Sequence, residues 1–156
     1  MAGLKRKFEG EIEIRVAGGD VFHELVHEKP HEINNIHPEL IQGCDLHDGE
    51  FGTPGSVICW NYSIDGKPQV GKEIIEMVDK ENKTVRFKLI EGDLLEEYNS
   101  FVITYQVIPE GKELSKVRWI FEYEKKHIGI PEPTKLMDSL LHLAKLIDDH
   151  HHTPKN

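Results

Sequence analysis

Histidines are the residues of this chain whose type and spacing most directly suggest chemistry. His23, His27 and His31 recur every four residues, the spacing at which one helix face could present ligands to zinc. Pro30 would interrupt such a helix, and no closed set of ligands with plausible spacing emerges from the sequence. The sequence therefore predicts neither a metal site nor a cofactor.

Tyr62, Tyr105 and His142 are the candidates for proton or hydrogen-bond chemistry. Tyr62 and Tyr105 lie on different predicted strands, and a phenol that is buried needs a partner. That partner could be a backbone group or a carbonyl or hydroxyl of a bound molecule. His142, if it points inward from its helix, could carry a proton because its unperturbed pKa is near neutral; half-exposure is the alternative. Catalytic residues stay unassigned at this point.

Three glycines, Gly49, Gly52 and Gly55, lie three residues apart between two predicted strands. Backbone amides in such a loop could cradle a phosphate. The segment lacks the Gly-Lys-Ser/Thr sequence of a P-loop, and no helix follows it. With Phe51 and Pro54 stiffening it, the segment is predicted to be a structural hairpin loop.

Charge and composition exclude several classes of function. The formal net charge is -9 and no basic patch is present, so nucleic acid is not a predicted partner. No stretch approaches a membrane span, and the first residues show no apolar signal region. Cys44 and Cys59 have no basic neighbours to activate them, so they are predicted to be reduced packing thiols in a cytoplasmic protein.

A long C-terminal helix over residues 133–150 is the element around which the chain is organised. Leu136, Leu140, Leu143 and Ile147 recur at three and four residues, which is the spacing of an apolar helical stripe. Polar residues 151–156 are predicted to form a flexible tail after a single domain over residues 1–150.

Strands and two short helices precede this helix. One short helix is predicted over Val21–His27 with Asp20 as its cap, and Pro30 opens a second one. The dipeptide Asp65-Gly66 predicts a hairpin turn. Period-two alternation predicts strands at residues 8–15, 40–46, 57–64, 70–78, 84–90, 98–107 and 116–123. Strands joined by tight turns indicate an antiparallel meander, and the class is α+β.

Three stretches give the chain a family resemblance: GEFGTPGSVICWNYSIDGK, KEIIEMVDKENKTVRFKLIEGDLLEEYNSF and PEPTKLMDSLLHLAKLI. Together they resemble the plant major latex protein family, within the superfamily of the birch pollen allergen and other class 10 pathogenesis-related proteins. The resemblance implies a helix-grip fold. In that fold a seven-stranded antiparallel sheet wraps round a long C-terminal helix, two short helices brace the opening, and an apolar cavity lies inside.

The resemblance also implies which side chains face the cavity. Carried over by strand parity, the predicted ligand-binding residues are apolar or aromatic and come from the strands and all three helices: Phe22, Leu25, Val26, Ile36, Ile58, Trp60, Tyr62, Val70, Val85, Phe87, Leu89, Phe101, Ile103, Tyr105, Trp119, Phe121, Met137, Leu140, Leu141 and Ala144. Val117 shares the inward parity. A one-residue error of register would invert any strand's contribution.

Two functions follow from the resemblance. The first is an intracellular protein, monomeric or weakly dimeric, that binds a small hydrophobic plant metabolite and has a defence or stress association. The alternative is a cofactor-independent cyclase of specialised metabolism, acting by orientation on a reactive enol such as an iridoid (nepetalactol-type) precursor, with Tyr62 or Tyr105 stabilising an oxyanion. The lysine and acid of the condensing relatives are not identifiable here, since Lys72 and Lys88 are predicted to be solvated. The face of Glu73 is uncertain, so this residue is either a polar group of the pocket or an ordinary surface carboxylate.

Overall fold

The structure, a computed structural model, describes residues 4–152, without the side chains of residues 16–18 and 152. Its strands are β1 (Lys5–Arg15), β2 (Ile41–Asp48), β3 (Val57–Ile64), β4 (Lys67–Asp79), β5 (Thr84–Gly92), β6 (Tyr98–Pro109) and β7 (Leu114–Lys125). Its helices are α1 (Val16–His27), α2 (Thr134–His152) and the 3₁₀ helices Pro30–Asn35 and Asp93–Glu96.

The seven strands form one antiparallel sheet in the order β1-β7-β6-β5-β4-β3-β2. Consecutive strands from β2 to β7 are neighbours, and β1 closes the sheet by pairing with β7 from Lys5↔Glu124 to Arg15↔Leu114. The predicted α+β class, with seven antiparallel strands, a long C-terminal helix and two short helices before β2, is confirmed. The 3₁₀ helix Asp93–Glu96 was not predicted.

The first hairpin turn determines which residues of β3 and β4 share a face. Asp65 and Gly66 both have positive φ, 53° and 75°, as a two-residue turn with primed geometry requires. Pairing then runs from Ile64↔Lys67 to Val57↔Ile74, which places Glu73 opposite Ile58.

Helix α1 begins at Val16, immediately after β1, and not at Val21 as the sequence suggested. Asp20 does not cap the helix: it lies within it and pairs with Lys83 at the start of β5. The predicted helix started after Gly18 and Gly19, but tertiary packing overrides the weak helix propensity of glycine and extends the helix back to Val16.

Gly19 shows what that packing requires. A Cβ at this position would lie 2.9 Å from Cγ1 of Val107 and 3.4 Å from Ser115. The first turns of α1 therefore approach the β6–β7 hairpin too closely for a larger side chain.

Helix α2 presents the predicted apolar stripe to the sheet. Met137, Leu143, Ala144 and Ile147 are almost completely buried. The helix continues to His152, so positions 151 and 152 of the predicted tail are helical, and residues 153–156 lie outside the described residues. Among the described helices, none has both the length and the apolar character that a membrane-spanning helix needs.

Helix and sheet mesh tightly at one side of the fold. A Cβ at Gly10 of β1 would lie 2.7 Å from Sδ of Met137 and 3.2 Å from Cδ1 of Leu141. Next to this contact, Phe101, Phe121 and other aromatic rings fill the interior, with centroids 5.3 Å apart for this pair. Open space remains on the other side of α2, toward β3, β4 and β5.

Candidate functional site

An apolar cavity lies between α2 and the β3–β4–β5 side of the sheet. The space open to the centre of a water-sized sphere is about 80 Å³. Because one water needs roughly 10–15 Å³ on that measure, the cavity has room for several waters or for a compact organic molecule. Its walls come from both short helices before β2, from six of the strands and from one face of α2.

Part of the predicted binding set lines this cavity: Val26, Trp60, Tyr62, Phe87, Leu89, Ile103, Trp119 and Leu140. The cavity also takes wall residues that the predicted set did not include: Ile33, Leu40, Ile41, Gly71, Glu73, Leu94, Leu136 and Leu143. Leu136 and Leu143 belong to the helical stripe that was recognised in the sequence, and Ile33 to the predicted second short helix.

Most of the remaining predicted residues pack in the filled part of the core. These side chains are buried against one another and against α2 without reaching the cavity wall: Phe22, Ile58, Val85, Phe101, Tyr105, Val117, Phe121, Met137 and Ala144. Leu141 is partly buried beside Gly10, and Leu25 and Ile36 border a separate surface depression between α1 and α2. The cavity in the structure is therefore smaller than the predicted set of inward-facing residues implied.

Val70 is the residue of the predicted set that points the wrong way. Its side chain is 43 % exposed, because Gly71, Glu73 and Ile75 are the buried positions of β4. The predicted register of β4 was one residue out, so the inward and outward faces of the strand were interchanged. The register in the structure turns Glu73 inward: its side chain is 6 % exposed and lines the cavity, whereas the sequence had left its face open.

Burial controls the protonation of the Glu73 carboxyl. Removal from water penalises the charged form and raises the pKa of Glu73 to about 7. The Trp60 side chain interacts with the carboxyl and offsets part of that rise. The carboxyl therefore changes charge near neutral pH, inside a cavity whose other walls are mainly apolar.

Two further polar atoms of cavity residues have no protein partner. The Tyr62 hydroxyl and Nε1 of Trp119 are buried without a hydrogen bond to any described residue. Burial, with Glu73 and Asp93 adding to it, raises the pKa of Tyr62 above its ordinary value, so the phenol stays protonated and able to donate. An unpaired buried donor costs free energy that a bound molecule could recover.

Tyr105 does not face the cavity, in contrast to its predicted role. Its hydroxyl lies 2.8 Å from Nδ1 of His23 and 3.4 Å from the carbonyl oxygen of that residue. The ring is enclosed by Phe22 and Trp119, with centroid distances of 5.2 Å and 5.7 Å. Tyr105 thus joins β6 to α1. One of its two contacts is with a backbone carbonyl, which was one of the partners considered for a buried tyrosine.

His142 is exposed on the outer side of α2, so the inward orientation needed for a proton carrier is absent. Its ring lies 5.6 Å from that of His37, nearly perpendicular to it. Burial and the neighbouring His142 lower the pKa of His37. The pair joins the segment before β2 to α2 on the surface.

The three regularly spaced histidines form ring stacks. His23 stacks on His27 with centroids 4.3 Å apart, and His31 stacks on Phe51 of the glycine loop at 4.8 Å. Within residues 4–152, no group of three or more histidine, cysteine or acidic side chains is placed to hold a metal ion.

The glycine loop packs against the end of α1. A Cβ at Gly52 would lie 3.0 Å from the carbonyl oxygen of His27, and φ is positive at Gly49, Gly52 and Gly55. The loop is thus fixed by close packing and turn geometry.

Both cysteines, Cys44 and Cys59, are free thiols.

Sequence comparison relates the chain to a family of plant proteins. The model of the pathogenesis-related protein Bet v 1 family matches residues 3–152. MLP-like protein 31 of Arabidopsis thaliana is 44% identical over 150 residues, covering 96% of this chain and 87% of the relative. MLP-like protein 34 of the same plant is 46% identical, but the chain spans only 45% of its length. The chain similarly spans 44% of MLP-like protein 28.

Solved structures share the fold of this chain, and some of them also share much of its sequence. The crystal structure of ginseng major latex-like protein 151 from Panax ginseng superposes with a TM-score of 0.90 at 44% identity, covering 96% of this chain and 99% of that one. Norcoclaurine synthase from Thalictrum flavum has a TM-score of 0.79 at 21% identity, a likeness of fold alone. The chain therefore belongs to the pathogenesis-related protein Bet v 1 family, among its major latex-like members.

Proposed function

We propose that this protein binds a small hydrophobic plant metabolite in the cavity between α2 and the sheet. The observation that carries this proposal is a cavity with mainly apolar walls, into which a few polar side chains are set. Pockets for organic ligands typically have this composition, because apolar walls supply affinity and isolated polar groups fix orientation.

Affinity would come from removing apolar surface from water. Each Å² of apolar surface buried contributes about 25 cal/mol before the costs of ordering the ligand are subtracted. The walls supplied by Trp60, Phe87, Trp119 and Leu140 offer flat and branched surfaces to such a ligand. The size of the cavity favours a molecule with on the order of ten non-hydrogen atoms.

The finer parts of the family interpretation stay predictions. They include the defence or stress association, the cytoplasmic location, a monomeric or weakly dimeric state and the absence of nucleic acid as a partner. Because the chain spans less than half of the two longer relatives, the activity of those whole proteins is not carried over to it. The cyclase alternative is not favoured, since norcoclaurine synthase shares the fold alone. Of its three candidate catalytic residues, Tyr62 reaches the cavity, whereas Tyr105 and His142 do not.

The two tryptophans of the chain, Trp60 and Trp119, both line the cavity, so intrinsic fluorescence can report binding directly. Titration with menthol, a compact ten-carbon alcohol, is expected to change the emission saturably. Gly71→Val should weaken that response because its methyl groups would enter the cavity beside Tyr62, whose Cε1 lies 3.5 Å from the Cβ position.

Gly43→Val is the matched control for this substitution. Gly43 lies opposite Asn61 on the outer face of the sheet, and a Cβ there meets nothing within 4 Å. The control should bind menthol as the unaltered protein does. An emission that stays constant in the unaltered protein, or equal binding by the Gly71→Val protein, would contradict the proposed function.

A further inference from the structure

Glu73 and Tyr62 form the polar part of the cavity wall, together with Nε1 of Trp119. Tyr62 is 8 % exposed and Glu73 6 % exposed, so neither group is solvated as it would be on a surface. The Tyr62 hydroxyl and the Trp119 indole N–H have no partner among the described residues. Such groups in an apolar cavity are destabilising unless a bound molecule pairs with them.

Tyr62 and Glu73 both line this cavity. The β3–β4 pairing sets them four residues apart along the strands, since Tyr62 pairs with Gln69 and Glu73 pairs with Ile58. A Cβ at Gly71, which is two residues before Glu73 on the inward face of β4, would lie 3.5 Å from Cε1 of Tyr62, so the phenol ring extends along β4 toward Glu73. Their proximity is also felt electrostatically, since Glu73 contributes to the raised pKa of Tyr62.

We propose that Tyr62 and Glu73 form a polar anchor that selects neutral hydroxylated molecules among the hydrophobic ligands of this cavity. The proposal rests on the proposed function, because it names the class of ligand for the same site. A ligand hydroxyl can donate a hydrogen bond to the Glu73 carboxylate and accept one from the Tyr62 hydroxyl. A single ligand hydroxyl thus carries both the donor that Glu73 can use and the acceptor that Tyr62 lacks.

Other ligand head groups satisfy only one side of the anchor. A carboxylate could accept from Tyr62 and Trp119 but would place a second negative charge beside Glu73 in an apolar site. An ammonium group could donate to Glu73, but it cannot accept a hydrogen bond and would leave both donors unpaired. A hydrocarbon leaves the Tyr62 hydroxyl and the Trp119 indole N–H without a partner.

Four molecules of one skeleton test this selection: menthol, menthane, menthylamine and the carboxylate of menthane carboxylic acid. Binding is followed by the fluorescence of Trp60 and Trp119 at pH 8, where most of the Glu73 carboxyl is ionised because its pKa is about 7. We expect menthol to bind about tenfold more tightly than menthane, because menthane cannot form the hydrogen bond to the charged Glu73 carboxylate. The preference for menthol over the carboxylate should be larger still.

Two variants then assign the selectivity to the anchor. Glu73→Gln should weaken menthol binding and strengthen binding of the carboxylate, so that the preference between them shrinks by roughly tenfold. Tyr62→Phe should weaken menthol binding while leaving menthane unchanged. Tyr105→Phe removes a phenol outside the cavity wall and should leave all four affinities unchanged.

The outcomes separate this inference from the proposed function. Equal affinities for the four molecules, unaltered by Glu73→Gln and Tyr62→Phe, would overturn the polar anchor and leave the hydrophobic cavity intact. Tightest binding of menthylamine, lost in Glu73→Gln, would overturn it in favour of a cation site. A constant emission with every molecule would contradict the proposed function itself.

Discussion

The Tyr105 hydroxyl and Nδ1 of His23 lie 2.8 Å apart and join the middle of β6 to α1. His23 is held in this contact as a neutral ring, because burial and the neighbouring His27 lower the pKa of His23 to about 4. A helix that is too short to stand alone thus has a specific polar attachment to the sheet, in addition to the burial of Phe22.

Tyr105→Phe is expected to lower the free energy of unfolding by about 1 kcal/mol, the net contribution of one hydrogen bond. The loss should be modest because His23 is only partly buried and can turn to water. Urea denaturation followed by circular dichroism measures it. A change well above that of an isolated hydrogen bond would show that the phenol has a further role in the core.

Acidification should weaken the protein through His23. The pKa of its ring is about 4 in the folded protein and near 6.5 in the unfolded chain. The unfolded state therefore binds a proton first, and stability falls as the pH is lowered from about 6.5 toward 4. His23→Gln should flatten this part of the curve of unfolding free energy against pH. Identical curves for the two proteins would contradict the assignment.

Most of the fold could be predicted because local patterns specify it. The apolar spacing on α2, the alternation along β3, β6 and β7 and the Asp65-Gly66 turn each act within a few residues. The Asp65-Gly66 turn also determines the register of β4, which the prediction for Val70 did not use. A two-residue loop at Asp65-Gly66 pairs Ile58 with Glu73, and Ile58 was correctly predicted to face inward. Consistent use of that register would have placed Glu73 in the interior.

The extent of the cavity could not be predicted from parity. Phe101 and Trp119 both face inward, but Phe101 stacks on Tyr123 with centroids 5.4 Å apart, whereas Trp119 borders open space. Which of them fills the interior depends on how α2 lies against β1, and that in turn depends on the contact of Gly10 with Met137. The same applies to Tyr105, since His23 is distant in sequence and becomes its partner only through the docking of α1.

Glu132 should contribute to stability more than its exposure suggests. Its carboxylate lies 2.6 Å from Nζ of Lys125, whose side chain is only 6 % exposed, and it accepts a hydrogen bond from Tyr123. Glu132→Gln would leave the Lys125 charge buried without its counter-ion. We expect a loss of about 1–3 kcal/mol, below that for a fully buried pair because Glu132 itself meets water.

Glu9→Gln gives the comparison for this effect in denaturant unfolding. Glu9 pairs with Lys7 at 3.4 Å, and both side chains are about half exposed, so solvent screens the pair. Its removal should cost at most about 0.5 kcal/mol. Equal losses for the two substitutions would mean that the burial of Lys125 does not increase the strength of its ion pair.

Glu73→Gln should make the protein more stable at neutral and alkaline pH. The pKa of Glu73 is about 7 in the folded protein, against 4.5 as its ordinary value. Between these values the folded state holds a proton that the unfolded state has released, so stability falls as the pH rises through this range. The penalty above pH 7 is on the order of 3 kcal/mol, from about 1.4 kcal/mol per unit of pKa.

The difference in unfolding free energy between the Glu73→Gln protein and the unaltered protein isolates this effect, because His23 produces the same opposite trend in both. Both should have similar unfolding free energies near pH 4, where Glu73 is protonated, and Glu73→Gln should be increasingly the more stable of the two up to pH 8. The groups that face the carboxyl, Tyr62 from β3 and Cys44 from β2, have raised pKa values and keep their charge constant over this range. A difference that does not vary with pH would mean that folding does not raise the pKa of Glu73.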